Sequence, residues 1–326
     1  MNLTSVLYAA LLSSHKGQRR LSSRFAKYLS RLRRILIRLG DPTCKVKVRQ
    51  KSLYMPLSHN LPLYVLAHPH YDTLVTRITS FLRNKLGYLT CIDVGANIGD
   101  SILACFEDVT DNFLAIEADP HFIGYLRMNC GQIKNVRIEN FFCSSSERKS
   151  QFSIKETGGT AFIQEGEGGV SMRMMSLAAI IKANPTYENF NFLKIDTDGY
   201  DFEVLEGAKE YIKRNLPTIL FECDFSHNGR YVEDFVEAMT FFKEAGYSSI
   251  LVYVNVGYLF GKFALVDMSN IKYMLLYHLT SRFGYFDVLV MREENMHSFV
   301  ESEISYFINS IPNETVQRTA RAAAAL

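Results

Sequence analysis

Acidic residues and glycines around residue 95 form the pattern in this chain with the clearest chemical meaning. Asp93, Gly95, Asn97 and Gly99 follow a short apolar run and precede a segment typical of a helix. Glycines at a strand-to-helix turn let the backbone bend sharply and approach a ligand, and the helix N-terminus behind them supplies N–H donors. Glu117 ends the next apolar run, where an α/β fold binds the two hydroxyls of a ribose. The pattern therefore predicts a nucleoside site.

The details of this loop indicate which nucleoside. A dinucleotide fingerprint requires glycines at positions where this chain has Asn97 and Asp100, and Asp100 would repel a pyrophosphate. Acids on both sides of the loop suit a cationic ligand without phosphate, and S-adenosylmethionine fits this description. A nicotinamide-dependent oxidoreductase is an alternative that these positions disfavour. The structural alternative is an ordinary glycine-rich turn.

A second group of charged residues follows two later apolar runs. The group comprises Lys194, Asp196, Asp198, Glu222, Asp224 and His227. Because the carboxyl ends of parallel strands meet at one edge of a sheet, these side chains are expected to lie close together. Burying so many charges is costly unless they pair or bind a ligand. Methyl transfer to a hydroxyl needs an aligned oxygen and a base for its proton, and this group could supply both.

Three of these residues are the catalytic candidates. His227 has the unperturbed pKa best suited to a general base near neutral pH. Asp196 can orient the hydroxyl, and Lys194 can neutralise Asp196 or stabilise developing alkoxide charge. The structural alternatives are a Lys194–Asp196 ion pair, a helix cap at Asp198 and a surface-loop position for His227.

A divalent metal is another use that these acids allow. Asp196, Glu222 and Asp224 offer the hard oxygen ligands that suit magnesium. Their spacing matches no dedicated metal motif, so the metal stays an alternative and no metal ligand is assigned.

The elements that position both groups alternate between apolar strands and amphipathic helices. Strands are predicted at Leu89–Val94, Phe113–Glu117, Val136–Phe142, Phe192–Asp196, Thr218–Glu222 and Ser249–Val254. Strand, helix and strand at this spacing imply a doubly wound, mostly parallel sheet with a Rossmann-like arrangement. The last strand candidate, Tyr285–Met291, is expected to join as an antiparallel edge. The predicted domain spans residues 45–311, with an N-terminal extension at 1–44 and a flexible, alanine-rich tail at 312–326.

Three motifs occur in the order found in a known family. They are Asp93-Val94-Gly95-Ala96-Asn97-Ile98-Gly99-Asp100, Ile116-Glu117-Ala118-Asp119-Pro120 and Lys194-Ile195-Asp196-Thr197-Asp198-Gly199-Tyr200-Asp201. Over roughly residues 88 to 225 and the closing strand, the chain resembles the FkbM-type S-adenosylmethionine-dependent methyltransferases. The resemblance implies a class I methyltransferase fold, with seven strands of which the last is antiparallel, and O-methylation of sugars, glycans or other natural products.

The predicted cofactor-binding residues lie in the first two of these motifs. They are Asp93, Gly95, Ala96, Asn97, Gly99, Glu117 and Ala118. Asp198 and Asp201 depart from the family, which more usually has Glu or Gln and then Glu at these positions. The charge is kept, but the reach of the side chains is shortened. A non-catalytic docking module that keeps the methyltransferase fold is the remaining alternative function.

Positive charge is concentrated near the N-terminus, although the formal net charge is only +2. Thirteen lysines and arginines lie between Lys16 and Lys51, against one acid, Asp41. Apolar residues recur among them at helical spacing, which predicts a basic amphipathic helix. Such a helix suits an anionic membrane surface or an acidic partner, and the alternative is a helix packed on the domain with a solvated basic face. Because every predicted cofactor residue lies after Leu89, this helix is expected to be separable from catalysis.

The amino-acid composition limits the class of protein and its partners. Hydrophobic residues make up 48% of the chain and charged residues 21%, as in ordinary globular proteins. The six cysteines form no C-x-x-C pair and predict buried thiols. Nucleic acid is not an expected partner because the basic region carries no recognised motif. We expect a cytoplasmic enzyme with a small-molecule or glycan acceptor, and a peripheral membrane contact stays open.

Overall fold

The computed structural model describes residues 3–16, 23–107, 109–166, 169–225, 228–281 and 284–325. The N-terminal elements are α1 (Leu3–Lys16), α2 (Ser23–Arg38), β1 (Thr43–Val48), β2 (Lys51–Pro56), α3 (Leu61–Ala67) and α4 (Leu74–Leu86). An alternating segment follows with β3 (Leu89–Val94), α5 (Asp100–Cys105), β4 (Asp111–Ile116), α6 (Phe122–Cys130) and β5 (Val136–Glu139). The alternation predicted from the sequence is therefore present in this part of the chain.

The remaining elements complete the domain. Next in the chain come β6 (Phe142–Ser144), β7 (Arg148–Thr157), β8 (Thr160–Glu165), β9 (Val170–Ser176), α7 (Leu177–Ala183), β10 (Phe192–Ile195), α8 (Asp201–Glu206), α9 (Lys209–Asn215) and β11 (Thr218–Cys223). The last are α10 (Tyr231–Ala245), β12 (Ser249–Val254), β13 (Leu259–Ala264), α11 (Ile271–Ser281), β14 (Phe286–Val290), α12 (Glu293–Ser310) and α13 (Glu314–Ala324).

The central sheet has the strand order β13-β12-β14-β11-β10-β3-β4-β5. Strands β11, β10, β3, β4 and β5 are mutually parallel, whereas β14 is antiparallel to both of its neighbours. The predicted mostly parallel sheet and antiparallel last strand are confirmed. Two details differ: β14 lies between β11 and β12 rather than at the edge, and β13 adds an eighth strand. The eighth strand was missed because its glycine and lysine interrupt the apolar pattern.

Helices cover both faces of this sheet. One face packs against α7, α8, α10 and α11, and the other packs against α4, α5, α6 and α12. Strand β3 is buried along its whole length, as expected for a central parallel strand that is covered on both sides. Such a rigid centre holds the loops after β3, β4, β10 and β11 at one edge of the sheet.

Strands β6 to β9 form a second sheet. It has four strands in the order β6-β9-β7-β8. The helical segment after β10 is divided into α8 and α9 at Gly207. A Cβ at Gly207 would lie 2.5 Å from the carbonyl oxygen of Ser144. The absence of a side chain at this position therefore allows close contact with the strand β6.

The N-terminal extension packs on the domain through its own apolar cluster. The buried side chains Tyr8, Leu11 and Leu29 contact residues of β1, β2 and α6. The alanine-rich tail is helical in α13, where the Asn313 side chain caps the first turn and no residue is buried. None of the helices in the described ranges has the length and apolar character needed to cross a membrane.

Candidate active site

A cleft of about 370 Å³ opens at the carboxyl edge of the central sheet. The loops after β3, β4, β10 and β11 line it, together with His59, Tyr71, Asp72 and the turn between β7 and β8. Its volume lies within the range of small-molecule and cofactor sites. Residues of both groups predicted from the sequence therefore line one cavity.

The loop after β3 keeps an unusual backbone because glycines stand at its tightest points. Gly95 has a φ of +80°, and a Cβ there would lie 1.8 Å from the carbonyl oxygen of Asp196. Gly99 has a φ of +82°, and a Cβ there would lie 2.6 Å from the sulfur of Cys130. Gly95 permits close contact with the backbone after β10 and also lines the cleft, so its close approach to a ligand stays a prediction.

Asn97 joins the loop after β3 to two other segments. Its backbone adopts a φ of +48°, which asparagine tolerates better than most residues. Its side chain donates to the carbonyl of Gly159 at 2.8 Å and lies 3.2 Å from Nε2 of His59. Since Nδ1 of His59 accepts the N–H of Leu61, Nε2 is the donor to Asn97. Burial lowers the pKa of His59 to about 4, which keeps the ring neutral.

Glu117 lies at the tip of β4, where the ribose-binding acid was predicted. Its carboxylate accepts the N–H of Asn97 at 2.7 Å and the N–H of Asp119 at 2.8 Å. Burial raises the pKa of Glu117 to about 7, although these backbone N–H groups act in the opposite direction. Each carboxylate oxygen keeps a further lone pair for a ligand hydroxyl. Ala118 follows Glu117 in the lining of the cleft, and Ala96 lines it as well.

Asp93 lies beneath the cleft rather than in its lining. One carboxylate oxygen accepts a hydrogen bond from Ser101 Oγ at 2.6 Å, and the other is 3.2 Å from Lys194 Nζ. Lys194 also contacts Asp196 at 3.0 Å. Burial would lower the pKa of Lys194, but the carboxylates of Asp196 and Asp93 outweigh it and raise the pKa well above its ordinary value. Lys194 is therefore a cation that joins Asp93 to the acid in the cleft.

Carboxylates dominate the end of the cleft near β10 and β11. Within the described part of the chain, Lys194 is the one lysine or arginine in the lining, against Asp72, Asp100, Glu117, Asp196, Asp198, Glu222 and Asp224. Burial, followed by repulsion from Asp196, raises the pKa of Asp198 to about 8 and that of Glu222 well above its usual range. The Asp196 side chain is 41% exposed and is accessible to a substrate.

Asp201 holds the loop after β10 in place. Its carboxylate accepts the hydroxyl and the N–H of Thr197, and it also accepts the N–H of Glu222 at 3.0 Å. These bonds connect the loops after β10 and β11 from below, since Asp201 is 2% exposed. The shortened family position at 201 therefore has a positioning role in the structure.

His227, the predicted base, lies outside the described residues. Sequence reasoning missed His59, Tyr71, Asp72 and Tyr285, which all line the cleft. No local motif marks them, because each comes from a segment distant in sequence from the methyltransferase motifs.

S-adenosylmethionine fits the lining of this cleft. The narrow turn at Gly95 to Asn97, the acceptor oxygens of Glu117 and the acidic lining suit a ribose and a positively charged sulfonium. Phe141 and Phe142 add apolar surface beside Glu117 and Ala118 that suits a base. For a metal, no group of three or more candidate ligand side chains is found among residues that the structure describes.

The strand arrangement, the glycine turn after β3 and the acid after β4 define an S-adenosylmethionine-dependent methyltransferase of the class I fold. Residues 93–249, just under half of the chain, match the model of the methyltransferase FkbM domain. The family match favours the methyltransferase hypothesis over the oxidoreductase.

Solved structures similar to this chain include other methyltransferases. A methyltransferase FkbM from Methylobacillus flagellatus KT has 16% identity and a TM-score of 0.36; the match covers 56% of this chain and 48% of that one. An O-methyltransferase from Bacillus cereus in complex with SAH has 12% identity and a TM-score of 0.39, with 71% and 88% coverage. Fibrillarin from Aeropyrum pernix with bound S-adenosyl-L-methionine has 9% identity and a TM-score of 0.35, with 77% and 83% coverage. No curated protein sequence matches the chain.

Proposed function

We propose that this protein transfers a methyl group from S-adenosylmethionine to a hydroxyl of a sugar, a glycan or another small natural product. The observation that carries the proposal is one continuous cleft lined by both the cofactor motifs and a group of carboxylates. The bound cofactor supplies an electrophilic methyl group. The protein must then orient a hydroxyl and accept its proton.

Glu117 and the loop after β3 are the proposed cofactor-binding elements. Glu117 presents acceptor oxygens, and its bonds to Asn97 and Asp119 fix the direction in which they point. Asn97 in turn is held by His59 and Gly159. These contacts preorganise the cofactor end of the cleft, which limits the ordering cost on binding.

Asp196 is the proposed residue that orients the acceptor hydroxyl. Its contact with Lys194 leaves the side chain in the cleft lining and 41% exposed. A carboxylate there can accept the hydroxyl proton directly, or it can hold the hydroxyl while His227 takes the proton. Lys194 has its raised pKa and its ion pairs with Asp93 and Asp196, so it is a positioning cation and not a base.

The acidic lining of the cleft also indicates the charge of the acceptor substrate. An anionic acceptor would add repulsion to a lining where burial, followed by the charge of Asp196, already raises the pKa values of Asp198 and Glu222. A neutral or cationic acceptor, such as an unsubstituted sugar or an amino sugar, fits this lining better. Phosphorylated or carboxylated acceptors are disfavoured on the same grounds.

Two measurements test the proposal. Calorimetry should show binding of S-adenosylmethionine and S-adenosylhomocysteine, and neither NAD nor NADP should compete. Incubation of the purified protein with labelled cofactor and fractionated glycans or small molecules should then identify the acceptor by its gain of one methyl group. A methyl group found on nitrogen or carbon, rather than oxygen, would refute O-methylation while leaving methyl transfer intact.

A further inference from the structure

Helix α2 presents a face to solvent that combines apolar and basic side chains. Four apolar side chains are exposed along it. Phe25, Tyr28 and Ile35 lie within the helix and are 43%, 61% and 53% exposed, and Leu39, just beyond its end, is 78% exposed. Lys27, Arg31, Arg34 and Arg38 are exposed as well. Successive residues of a helix are rotated by 100°, so the four apolar side chains form one row along the helix and the four basic side chains form an adjacent row. We call this surface the outer face of α2.

The opposite side of α2 is attached firmly to the protein. Leu29 is 6% exposed within the N-terminal apolar cluster. Arg33 donates to the carbonyls of Leu57 and Ser58 at 2.9 and 2.8 Å and to the side chain of Asn60 at 2.9 Å. The helix is therefore fixed in orientation, and packing against this domain does not account for the exposure of the outer face.

The charge around the outer face has one sign. Residues 1–40 contain no aspartate or glutamate. Within the described ranges, Lys27, Arg31, Arg34 and Arg38 form no ion pair. Four exposed apolar side chains beside four basic ones would be unfavourable in water alone, since both the apolar area and the mutual repulsion remain uncompensated.

We propose that the outer face of α2 docks the protein on an anionic membrane surface. Its apolar row, about 21 Å long at 1.5 Å per residue, can enter the headgroup boundary while the basic row contacts anionic headgroups. An acidic protein would complement the basic row but would not require the apolar one. A lipid surface complements both rows, which is why the membrane is the occupant that we choose.

This docking surface is connected to the cleft by one loop. Arg33 and the hydroxyl of Tyr8 both donate to the carbonyl of His59 or its neighbours, and His59 lines the cleft and contacts Asn97. The separability of the N-terminal helix from the cofactor site, predicted from the sequence, conflicts with these contacts. A chain shortened to Cys44 would lose both Tyr8 and Arg33, so point variants on the outer face are the better test.

The test compares full-length variants by flotation with vesicles. Vesicles of phosphatidylcholine alone are compared with vesicles that also contain phosphatidylserine. Arg31→Glu/Arg34→Glu changes the basic row, and Phe25→Ser/Ile35→Ser changes the apolar row. The matched control is Lys213→Glu/Lys243→Glu, which makes the same change in net charge at exposed positions of α9 and α10. All variants must keep the unfolding temperature and cofactor affinity of the parent protein.

We expect the parent protein to float with the phosphatidylserine vesicles at low salt and to dissociate as salt is raised. The charge variant should bind at least about tenfold more weakly, the apolar variant should also lose binding, and the control should not. Equal flotation of the parent and both α2 variants would overturn the proposal. So would equal binding to neutral vesicles, or a dimer in sedimentation that the α2 variants abolish without any vesicle binding.

Discussion

The two ends of the cleft use their carboxylates in opposite ways. At the cofactor end, Glu117 accepts two backbone N–H groups. At the acceptor end, burial and then the charges of neighbouring carboxylates raise the pKa values of Asp198 and Glu222. The cofactor end is thus organised by hydrogen bonds before any ligand binds, whereas the acceptor end contains buried acids that favour their protonated forms.

This difference assigns different energetic roles to the two ends. Backbone N–H groups fix the acceptor oxygens at the cofactor end, and such preorganised contacts contribute to affinity. At the acceptor end, burial and neighbouring charges disfavour the ionised carboxylates, which reduces the stability of the protein. A bound cation or hydrogen-bond donor would favour the ionised form. Changes at the first end should therefore affect cofactor binding, and changes at the second should affect turnover and pH dependence.

The largest expected effect comes from Gly95, where the two ends touch. Gly95→Ala would place a Cβ 1.8 Å from the carbonyl oxygen of Asp196, at a φ of +80°. We expect a loss of about 3 kcal/mol or more in unfolding free energy, together with loss of S-adenosylmethionine binding, because backbone atoms cannot yield cheaply. Chemical denaturation and calorimetry measure the two quantities.

Gly87 provides the matched control for this change. It has a φ of +78°, but a Cβ there would meet nothing within 4 Å. Gly87→Ala should cost only about 1–2 kcal/mol, the penalty for a left-handed residue that carries a side chain, and should leave cofactor affinity unchanged. If both variants lose the same stability, the close contact between Gly95 and Asp196 is not the cause.

The next effect separates turnover from cofactor binding. Asp196→Asn should lower turnover roughly 10²–10⁴-fold, since the hydroxyl would lose its carboxylate partner, while affinity for S-adenosylmethionine stays near normal. Lys194 would retain Asp93 as its ion-pair partner. Turnover under saturating cofactor and calorimetry give the two readouts, and a parallel loss of affinity would show that Asp196 belongs to the cofactor end instead.

His227→Ala distinguishes the two candidate bases. If His227 is the base, turnover should fall to a similar extent, and the rise of rate near neutral pH should disappear from the pH profile. If His227→Ala retains full turnover, the proton is accepted by Asp196 or a neighbouring carboxylate. The pH profiles of Asp196→Asn and His227→Ala, compared with that of the parent protein, therefore identify the base.

The same comparison explains what the sequence could predict. Gly95, Asn97, Gly99 and Glu117 lie in contiguous motifs at strand ends, and the alternation of apolar strands and helices is enough to place them at one edge of a sheet. Lys194 and Asp196 were located at a strand end for the same reason, and their structural ion pair was among the alternatives considered.

The rest of the site depends on contacts between distant segments. His59, Tyr71 and Tyr285 reach the cleft through tertiary packing that no periodicity records. Gly159 approaches Asn97 because residues 148–165 form a hairpin, which the glycine-rich sequence there does not distinguish from a loop. The insertion of β14 between β11 and β12 is also a property of the whole sheet, and the order of strands along the chain does not reveal it.

A smaller effect is expected from Glu117 itself. Glu117→Ala should weaken S-adenosylmethionine binding by about 1–3 kcal/mol, because ribose hydroxyls would lose a charged acceptor and the N–H groups of Asn97 and Asp119 would lose theirs. Glu139→Ala at the end of the neighbouring strand β5 is the control, since Glu139 pairs with Arg137 and does not line the cleft. Unchanged affinity in Glu117→Ala would remove the cofactor assignment from this end of the cleft.

The smallest effect is a pH dependence of stability that arises at the acceptor end. Asp287 in β14 lies beside Glu222 of β11. Burial, followed by the charge of Asp196, raises the pKa values of Asp198 and Asp287 to about 8. Between the ordinary carboxylate pKa and this value, the folded protein binds more protons than the unfolded chain. Unfolding then releases protons. The contribution of these two acids to the unfolding free energy is therefore fully present at low pH and is lost as pH rises toward 8.

The informative window for this measurement is pH 6.5 to 8.5. The lowered pKa of His59, about 4, gives the opposite slope, but only below the ordinary histidine pKa of about 6.5. Asp198→Asn and Asp287→Asn should each flatten the fall of unfolding temperature in this window, and asparagine tolerates the φ of +52° at position 198. Asp267→Asn is the control, because hydrogen bonds from Ser269 lower the pKa of Asp267 and its titration lies below the window. An unfolding temperature that stays constant or rises from pH 6.5 to 8.5 would show that the acceptor-end carboxylates are neutralised within the protein.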